Sequence, residues 1–204
     1  MLQPSLLDIV DEPGATALAP ERTVLGDGAW LDVQRGWVTG ADTLFERLRV
    51  SAAWRAERRQ MYDRLVDVPR LVAFYERDAV LPDRCLTELK GALDAHYTPE
   101  LGEPFATAGL CLYRDGRDSV AWHGDRIGRS ATHDTMVAII VLGSPRAFLL
   151  RPRGGGATLR HDLGHGDLVV MGGSCQRTWE HAVPKSARAT GARISVQFRP
   201  HDVR

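Results

Sequence analysis

Residues 136–155, MVAIIVLGSPRAFLLRPRGG, contain two apolar runs separated by a Gly-Ser-Pro break and closed by glycines. Each run is too short for an ordinary helix, is rich in β-branched and large apolar residues, and is bounded by turn formers, so both read as strands. The same texture recurs upstream in GLCLYRDG (109–116) and downstream in DLVVMGG (167–173) and ARISVQF (192–198). No helical period separates these runs, which argues against repeated βα units. Strand pairs folded into two facing sheets bury the apolar positions and leave a polar cavity at one end, so the expected fold is mainly β, a jelly roll. Gly154 to Gly156 form a turn rather than a phosphate loop, because the required Lys and Ser/Thr do not follow.

The amino-terminal third reads differently. Residues 1–38 are rich in small and turn-forming residues, while Leu25, Trp30, Leu31, Val33, Trp37 and Val38 offer apolar contacts, as expected of an arm ordered on a larger core. Leu44, Phe45 and Leu48 share one helix face, with a start signal at Thr39 and Asp42 and an extent reaching Trp54. A second helix is expected from Pro82 or Asp83 to about Ala95, carrying Leu86, Leu89 and Leu93.

The chain has 204 residues and balances 26 basic against 26 acidic side chains. The balance is uneven along its length, because residues 126–204 hold 12 basic and 5 acidic side chains, an excess of +7. That excess could guide a polyanion to one end of the barrel. Cys85, Cys111 and Cys175 are too few and too scattered for a disulfide scaffold or a four-cysteine zinc site. No apolar run approaches a membrane span and no basic-then-apolar leader opens the chain, so the expectation is a cytoplasmic protein without a membrane partner.

In AWHGDRIG (121–128), His123 and Asp125 are two positions apart and share one side of an extended segment. WEHAVPK (179–185) supplies His181 on another strand or adjoining turn. Two histidines and a carboxylate make a facial set suited to Fe(II), with open positions for an organic acid and oxygen. Zn(II) could occupy the same ligands without the redox chemistry. The competing reading is a surface His-Asp pair with an unrelated packed histidine. Near the end, Arg193 and Arg199 are six positions apart, an even spacing that puts both on one strand face. An inward Arg193 could pair with the distal carboxylate of 2-oxoglutarate; Arg199 could take the keto-acid end or orient the iron carboxylate. A structural row of ion pairs is the alternative.

These segments, together with VPRLVAFY (68–75), LYRDGRDSVAWHGD (112–125), RAFLLR (146–151) and GDLVVMGGSCQRTWEHAVPK (166–185), resemble the AlkB family of Fe(II)- and 2-oxoglutarate-dependent nucleic-acid dioxygenases over about Pro69 to Phe198. The resemblance implies a double-stranded β-helix with amino-terminal helices and a nucleotide-recognition lid. Residues 1–68 would form the arm and helical extension, and residues 69–204 the lid and dioxygenase core. It implies His123, Asp125 and His181 as catalytic metal ligands for Fe(II), with Tyr113, Arg193 and Arg199 around 2-oxoglutarate and molecular oxygen as cosubstrate. The implied reaction is oxidative dealkylation of N-alkylated bases with release of an aldehyde. Its partner would be alkylated single-stranded DNA or RNA, or duplex DNA through base flipping, and a monomer suffices. Arg70, Tyr75, Trp122, Arg126 and Arg151 are the substrate-contact candidates; ordinary core packing competes for Tyr75 and Trp122, and surface solvation for the arginines. Two positions depart from the family pattern: Cys111 stands where an asparagine is common, and Arg126, Ile127 and Gly128 follow Asp125 where acidic residues are common. The alternatives are an Fe(II)/2-oxoglutarate hydroxylase or demethylase of a non-nucleic-acid substrate, and a noncatalytic nucleic-acid-binding jelly roll.

Overall fold

The computed structural model describes residues 11–61, 64–187 and 191–203. The chain opens with β1 (Gly14–Ala15), β2 (Glu21–Gly26), β3 (Ala29–Gln34), β4 (Val38–Thr39) and α1 (Ala41–Ser51). A hairpin of β5 (Arg55–Met61) and β6 (Arg64–Tyr75) and the long α2 (Arg84–Leu101) follow. The barrel strands are then β7 (Thr107–Tyr113), β8 (Val120–His123), β9 (Val137–Gly143), β10 (Arg146–Pro152), β11 (Leu159–Leu163) and β12 (Leu168–Gly173). A single turn, α3 (Cys175–Thr178), leads into β13 (Trp179–Val183), and β14 (Arg193–Arg199) closes the core.

Beside a small β1-β4 pair, the strands form an eight-stranded sheet in the order β2-β3-β12-β9-β14-β7-β6-β5 and a four-stranded sheet in the order β11-β10-β13-β8. Every pairing in both is antiparallel. The two sheets face one another as the apolar runs require, and the mainly β jelly roll expected from the sequence is the observed fold. β14 lies inside the large sheet between β9 and β7. Its alternation is divided by chemistry: Ile194, Val196 and Phe198 join the core under the helices, whereas Arg193, Ser195, Gln197 and Arg199 turn the other way. One core layer therefore packs the large sheet against α1 and α2 through Leu44, Leu48, Leu86, Leu89 and Leu93, all buried. The second lies between the sheets and includes Val137, Ile139, Val141, Phe148, Leu150 and Val169. Truncating a leucine such as Leu89 to Ala would remove about 2–5 kcal/mol.

The arm is part of the large sheet. β3 pairs with β12, and Leu31 and Trp37 are fully buried. Arg22 donates to buried Asp32 from Nε and Nη2 at 2.7 and 2.9 Å, and the Tyr97 hydroxyl donates to the same carboxylate at 3.0 Å, tying the arm to α2. The helix limits differ from the expected ones. α1 starts after Gly40 in the left-handed region (φ 57°) without a side-chain cap, and it stops at Ser51 rather than Trp54. A Cβ at Gly40 would meet the Asp11 carbonyl oxygen at 2.6 Å, so glycine is required at this position, while Asp42 stands in the first turn. α2 does begin behind Asp83, which accepts from the Cys85 N–H at 2.8 Å, but it runs on to Leu101 because buried Tyr97 continues the apolar stripe.

Candidate active site

β13 brings His181 into register with His123 at the end of β8, and the two rings lie 4.2 Å apart between the sheets. The chain then turns at Gly124, where a Cβ would sit 2.5 Å from the Gln176 carbonyl oxygen, so glycine lets this turn press against α3. Asp125 follows, with its N–H donating to Gln176 Oε1 at 2.9 Å and its Oδ1 3.7 Å from His123 Nε2. One ligand atom from each of His123, Asp125 and His181 lies within 4.8 Å of the others, the one such group of three among the described residues. His123 is partly exposed, whereas Asp125 and His181 are buried.

Electrostatics prepare the buried pair for a cation. Burial pushes the Asp125 carboxyl up, but Arg199, His181 and His123 outweigh it and hold it at about 2. Burial, with the neighbouring His123, drives His181 down to about 3, against the opposing pull of Asp125. An ionised carboxylate and a neutral imidazole are the protonation states that ligate a metal. Arg199 fixes the carboxylate by donating to Asp125 Oδ2 from Nε at 2.9 Å, and its Nη2 lies at the same distance.

The inward positions of β14 lead from Arg199 through Gln197 and Ser195 to Arg193, lining one pocket with His123, His181, Tyr113, Arg70 and Cys111. Arg193 is 1% exposed, yet its Nε and Nη1 have no hydrogen-bond partner. Its guanidinium carbon lies 5.1 Å from the centroid of the Tyr113 ring. Burial lowers the Arg193 pKa and raises that of Tyr113, leaving a guanidinium and a neutral phenol at the pocket floor. Unpartnered buried donors carry a large desolvation penalty, and a carboxylate is the ligand that relieves it.

The family model of the 2OG-Fe(II) oxygenase superfamily matches residues 71–199. The bovine (Bos taurus) alpha-ketoglutarate-dependent dioxygenase alkB homolog 3 is 29% identical over 182 residues, covering 78% of this chain and 61% of the relative. The chain belongs to the 2OG-Fe(II) oxygenase superfamily. The DNA oxidative demethylase ALKBH2 of Arabidopsis thaliana is 34% identical over 134 residues, covering 54% of this chain and 42% of the relative. The chain spans about three fifths of the length of the first of these curated relatives. Among solved structures, OsALKBH1 superposes with a TM-score of 0.63 at 13% identity, covering 89% of this chain and all of the other. A prolyl hydroxylase from Trichoplax adhaerens gives 0.61 at 12% identity over 83% of each chain, a likeness of fold.

Membership of this superfamily brings Fe(II), 2-oxoglutarate and oxygen as cofactor and cosubstrates, and the residues present fit them. His123, Asp125 and His181 could hold iron. The orphaned Nε and Nη1 of Arg193 could receive the distal carboxylate beside Tyr113. Arg199 fits the second of its two expected roles, since its guanidinium is engaged on Asp125. At the position where the AlkB family commonly has asparagine, the Cys111 Sγ accepts from Arg70 Nε at 3.4 Å, and Arg70 Nη1 donates to the Ser119 carbonyl at 3.1 Å. Arg70, expected to face substrate, therefore lines the inner pocket.

The remaining expected contacts are dispersed. Tyr75 packs with the helix-side core, and its hydroxyl accepts from the Ala53 N–H at 3.3 Å. Trp122 alternates with His123 and so faces away from it, under the Arg151 guanidinium at 4.1 Å, while Arg151 pairs with Glu180 at 3.0 Å. Arg126 is exposed beside Asp125. Several arginines of the last 79 residues are engaged within the chain. Arg129 pairs with Glu103, Arg160 with Asp162 and Arg177 with Asp134, while Arg146 donates to the carbonyls of Asp115, Asp118 and Pro184. Arg126, Arg153 and Lys185 remain exposed. Sequence reasoning missed Gly109, Gln197 and Gln176. The even spacing from Arg193 to Arg199 already puts Gln197 on the pocket face, whereas no local signal identifies the other two. Cys175 is buried, and burial pushes its thiol up to about 12, which removes it as a nucleophile. Among the described residues no helix is long and apolar enough to cross a membrane.

Proposed function

We propose that this chain performs oxidative dealkylation of N-alkylated bases in DNA or RNA. The observation that carries the reading is a pocket lined by His123, His181 and a buried arginine, Arg193, whose Nε and Nη1 are unpartnered, with Asp125 completing a two-histidine, one-carboxylate set beside it. The ligand set requires a cation and the arginine an anion, and a dicarboxylic 2-oxo acid chelating iron answers both. The likeness to ALKBH2, a DNA oxidative demethylase, supports a nucleic-acid substrate. When bound, iron with 2-oxoglutarate and oxygen supplies hydroxylation of the alkyl carbon coupled to decarboxylation, after which the carbon leaves as an aldehyde.

The protein's share is positioning. His123, Asp125 and His181 hold the metal, Arg199 keeps Asp125 ionised and oriented, and Arg193 with Tyr113 anchors the cosubstrate. A stacked base cannot reach a site between two sheets, so the substrate is single-stranded or is flipped from a duplex. The β5–β6 hairpin at the edge of the large sheet is the element we assign as the nucleotide-recognition lid, which starts it at Arg55, before the boundary at residue 69 expected from the sequence, with Arg126 available to phosphate. One copy suffices for this arrangement, and the reducing cytoplasm suits an Fe(II) protein with three free cysteines.

The test is mass-resolved product analysis after incubation with Fe(II), 2-oxoglutarate, oxygen and a mixed library of alkylated DNA and RNA. Unmodified base, aldehyde and succinate should appear together and vanish when 2-oxoglutarate is omitted. Succinate formed with a protein or metabolite, and with no alkylated base, would favour a hydroxylase of another substrate. Lesion-independent binding without turnover would favour a noncatalytic binding protein.

A further inference from the structure

The register of β14 on β7 lays the pocket out in levels: Arg193 lies opposite Tyr113, Ser195 opposite Cys111, Gln197 opposite Gly109 and Arg199 opposite Thr107. Arg193 marks one end, and Arg199, holding Asp125, marks the other. A 2-oxo dicarboxylate with its distal group on Arg193 and its keto acid directed to the metal ligands therefore passes the level of Cys111 and Ser195. Iron takes one oxygen of the keto-acid carboxylate, and the other oxygen, buried and anionic, needs a donor from the protein.

The groups native to that level are already engaged. The Cys111 thiol donates toward Gln197 Oε1 at 3.8 Å, and a thiol is a weak donor. Gln197 Nε2 donates to the Ser195 hydroxyl and carbonyl oxygens, and the Ser195 hydroxyl interacts with Tyr113. Arg70 reaches the same level from β6. Its Nε donates to Cys111 Sγ at 3.4 Å and its Nη1 to the Ser119 carbonyl at 3.1 Å, two bonds that fix the guanidinium plane against the pocket. Its Nη2 makes no hydrogen bond among the described residues. Glu57 on β5 is an electrostatic neighbour of Arg70, but among the described residues no carboxylate forms an ion pair with it.

We infer that Arg70 is a cosubstrate-binding residue, whose Nη2 donates to the keto-acid carboxylate at the level where Cys111 offers no adequate donor. The inference concerns the cosubstrate that the superfamily brings, and it holds whichever substrate is oxidised. It divides the anion between two guanidinium groups, with Arg193 on the distal carboxylate and Arg70 on the proximal one, while Arg199 stays on Asp125. Two arginines without an ion-pair partner among the described residues match the two negative charges of the dianion.

The test is calorimetric titration of Mn(II)-loaded protein with 2-oxoglutarate and with 2-oxovalerate, which keeps the 2-oxo acid and the carbon chain but lacks the distal carboxylate. Arg70→Met should weaken both ligands by the same factor, on the order of 10-fold or more for one charge-assisted hydrogen bond. Arg70→Gln, which can keep a bond to the Ser119 carbonyl, should show the same common loss and guards against a variant that merely fails to fold. Arg193→Met should weaken 2-oxoglutarate alone. Wild-type affinity for 2-oxoglutarate in both Arg70 variants would make Arg70 a strut of the pocket wall, and a loss confined to 2-oxoglutarate would put it on the distal carboxylate; either overturns the assignment. A wild-type protein that bound neither acid would overturn the cosubstrate fit as a whole.

Discussion

Replacing Arg193 with Met should make the protein more stable and abolish cosubstrate binding. Arg193 is 1% exposed with Nε and Nη1 unpartnered, so before a cosubstrate binds the folded chain bears the desolvation of those donors. Met keeps most of the length and removes the charge. Apolar replacement of a buried ionic group is often neutral or stabilising by about 1–4 kcal/mol, and the cation-π contact with Tyr113 that is lost offsets about 1 kcal/mol of that. Cosubstrate binding moves the other way. Two charge-assisted hydrogen bonds are worth about 1.5–3 kcal/mol each, so the dissociation constant for 2-oxoglutarate should rise roughly 100-fold or more. Thermal unfolding of Mn(II)-loaded protein with and without 2-oxoglutarate reads both effects. At a ligand concentration of about 100 times Kd, wild type gains about 2.7 kcal/mol. For a chain of this size that is a rise in Tm of about 5–10 °C. Arg193→Met should start at or above the wild-type Tm and show almost no ligand-dependent rise. A variant that starts lower and keeps the wild-type rise would refute the reasoning, since Arg193 would then be a structural cation and not a receptor.

Asp125→Asn should lose Mn(II) or Co(II) binding and reduce stability by about 2 kcal/mol or more, because Arg199 keeps a weaker acceptor in place of its buried ionic partner. Since the Asp125 pKa is depressed to about 2, its contribution is complete above the unfolded value near 4 and is lost as pH falls through 2; the gap between wild type and variant, followed by denaturant unfolding, should close over that window. Iodoacetamide at pH 8 should modify Cys111 in the pocket before Cys85 and Cys175, whose thiols are pushed up to about 11 and about 12, and bound 2-oxoglutarate should slow the Cys111 reaction; peptide mass mapping checks the order. Gly109→Ala should displace the Arg199 guanidinium and weaken metal binding about 10-fold with little change in Tm, as a perturbation of the group that orients a ligand would, and a metal titration beside a melting curve separates the two.

Much of this molecule is legible in local patterns. The apolar runs and their turn residues specify strands, and 136–155 with its neighbours leaves little choice beyond two facing sheets. The HxD spacing puts His123 and Asp125 on one side of an extended segment, and the even spacing of Arg193 and Arg199 puts both on one face of β14. These readings hold because strand period is a local property of the backbone. Parity alone, however, does not say which face is inside. That depends on pairings between residues far apart in the chain, such as Phe74 with Gly109 and His181 with His123. Tyr75 and Phe74 are equally aromatic on paper, and only the docking of β6 on β7 turns one under the helices and the other to the opposite face. The same holds for charge. The sequence places an excess of +7 in the last 79 residues, but only tertiary contacts engage Arg129, Arg146, Arg151, Arg177 and Arg199 with acids and carbonyls and leave Nε and Nη1 of Arg193 without a hydrogen-bond partner in the pocket. Composition and spacing determined the strands and the ligand types; long-range register, which no local period encodes, decided which side chains meet.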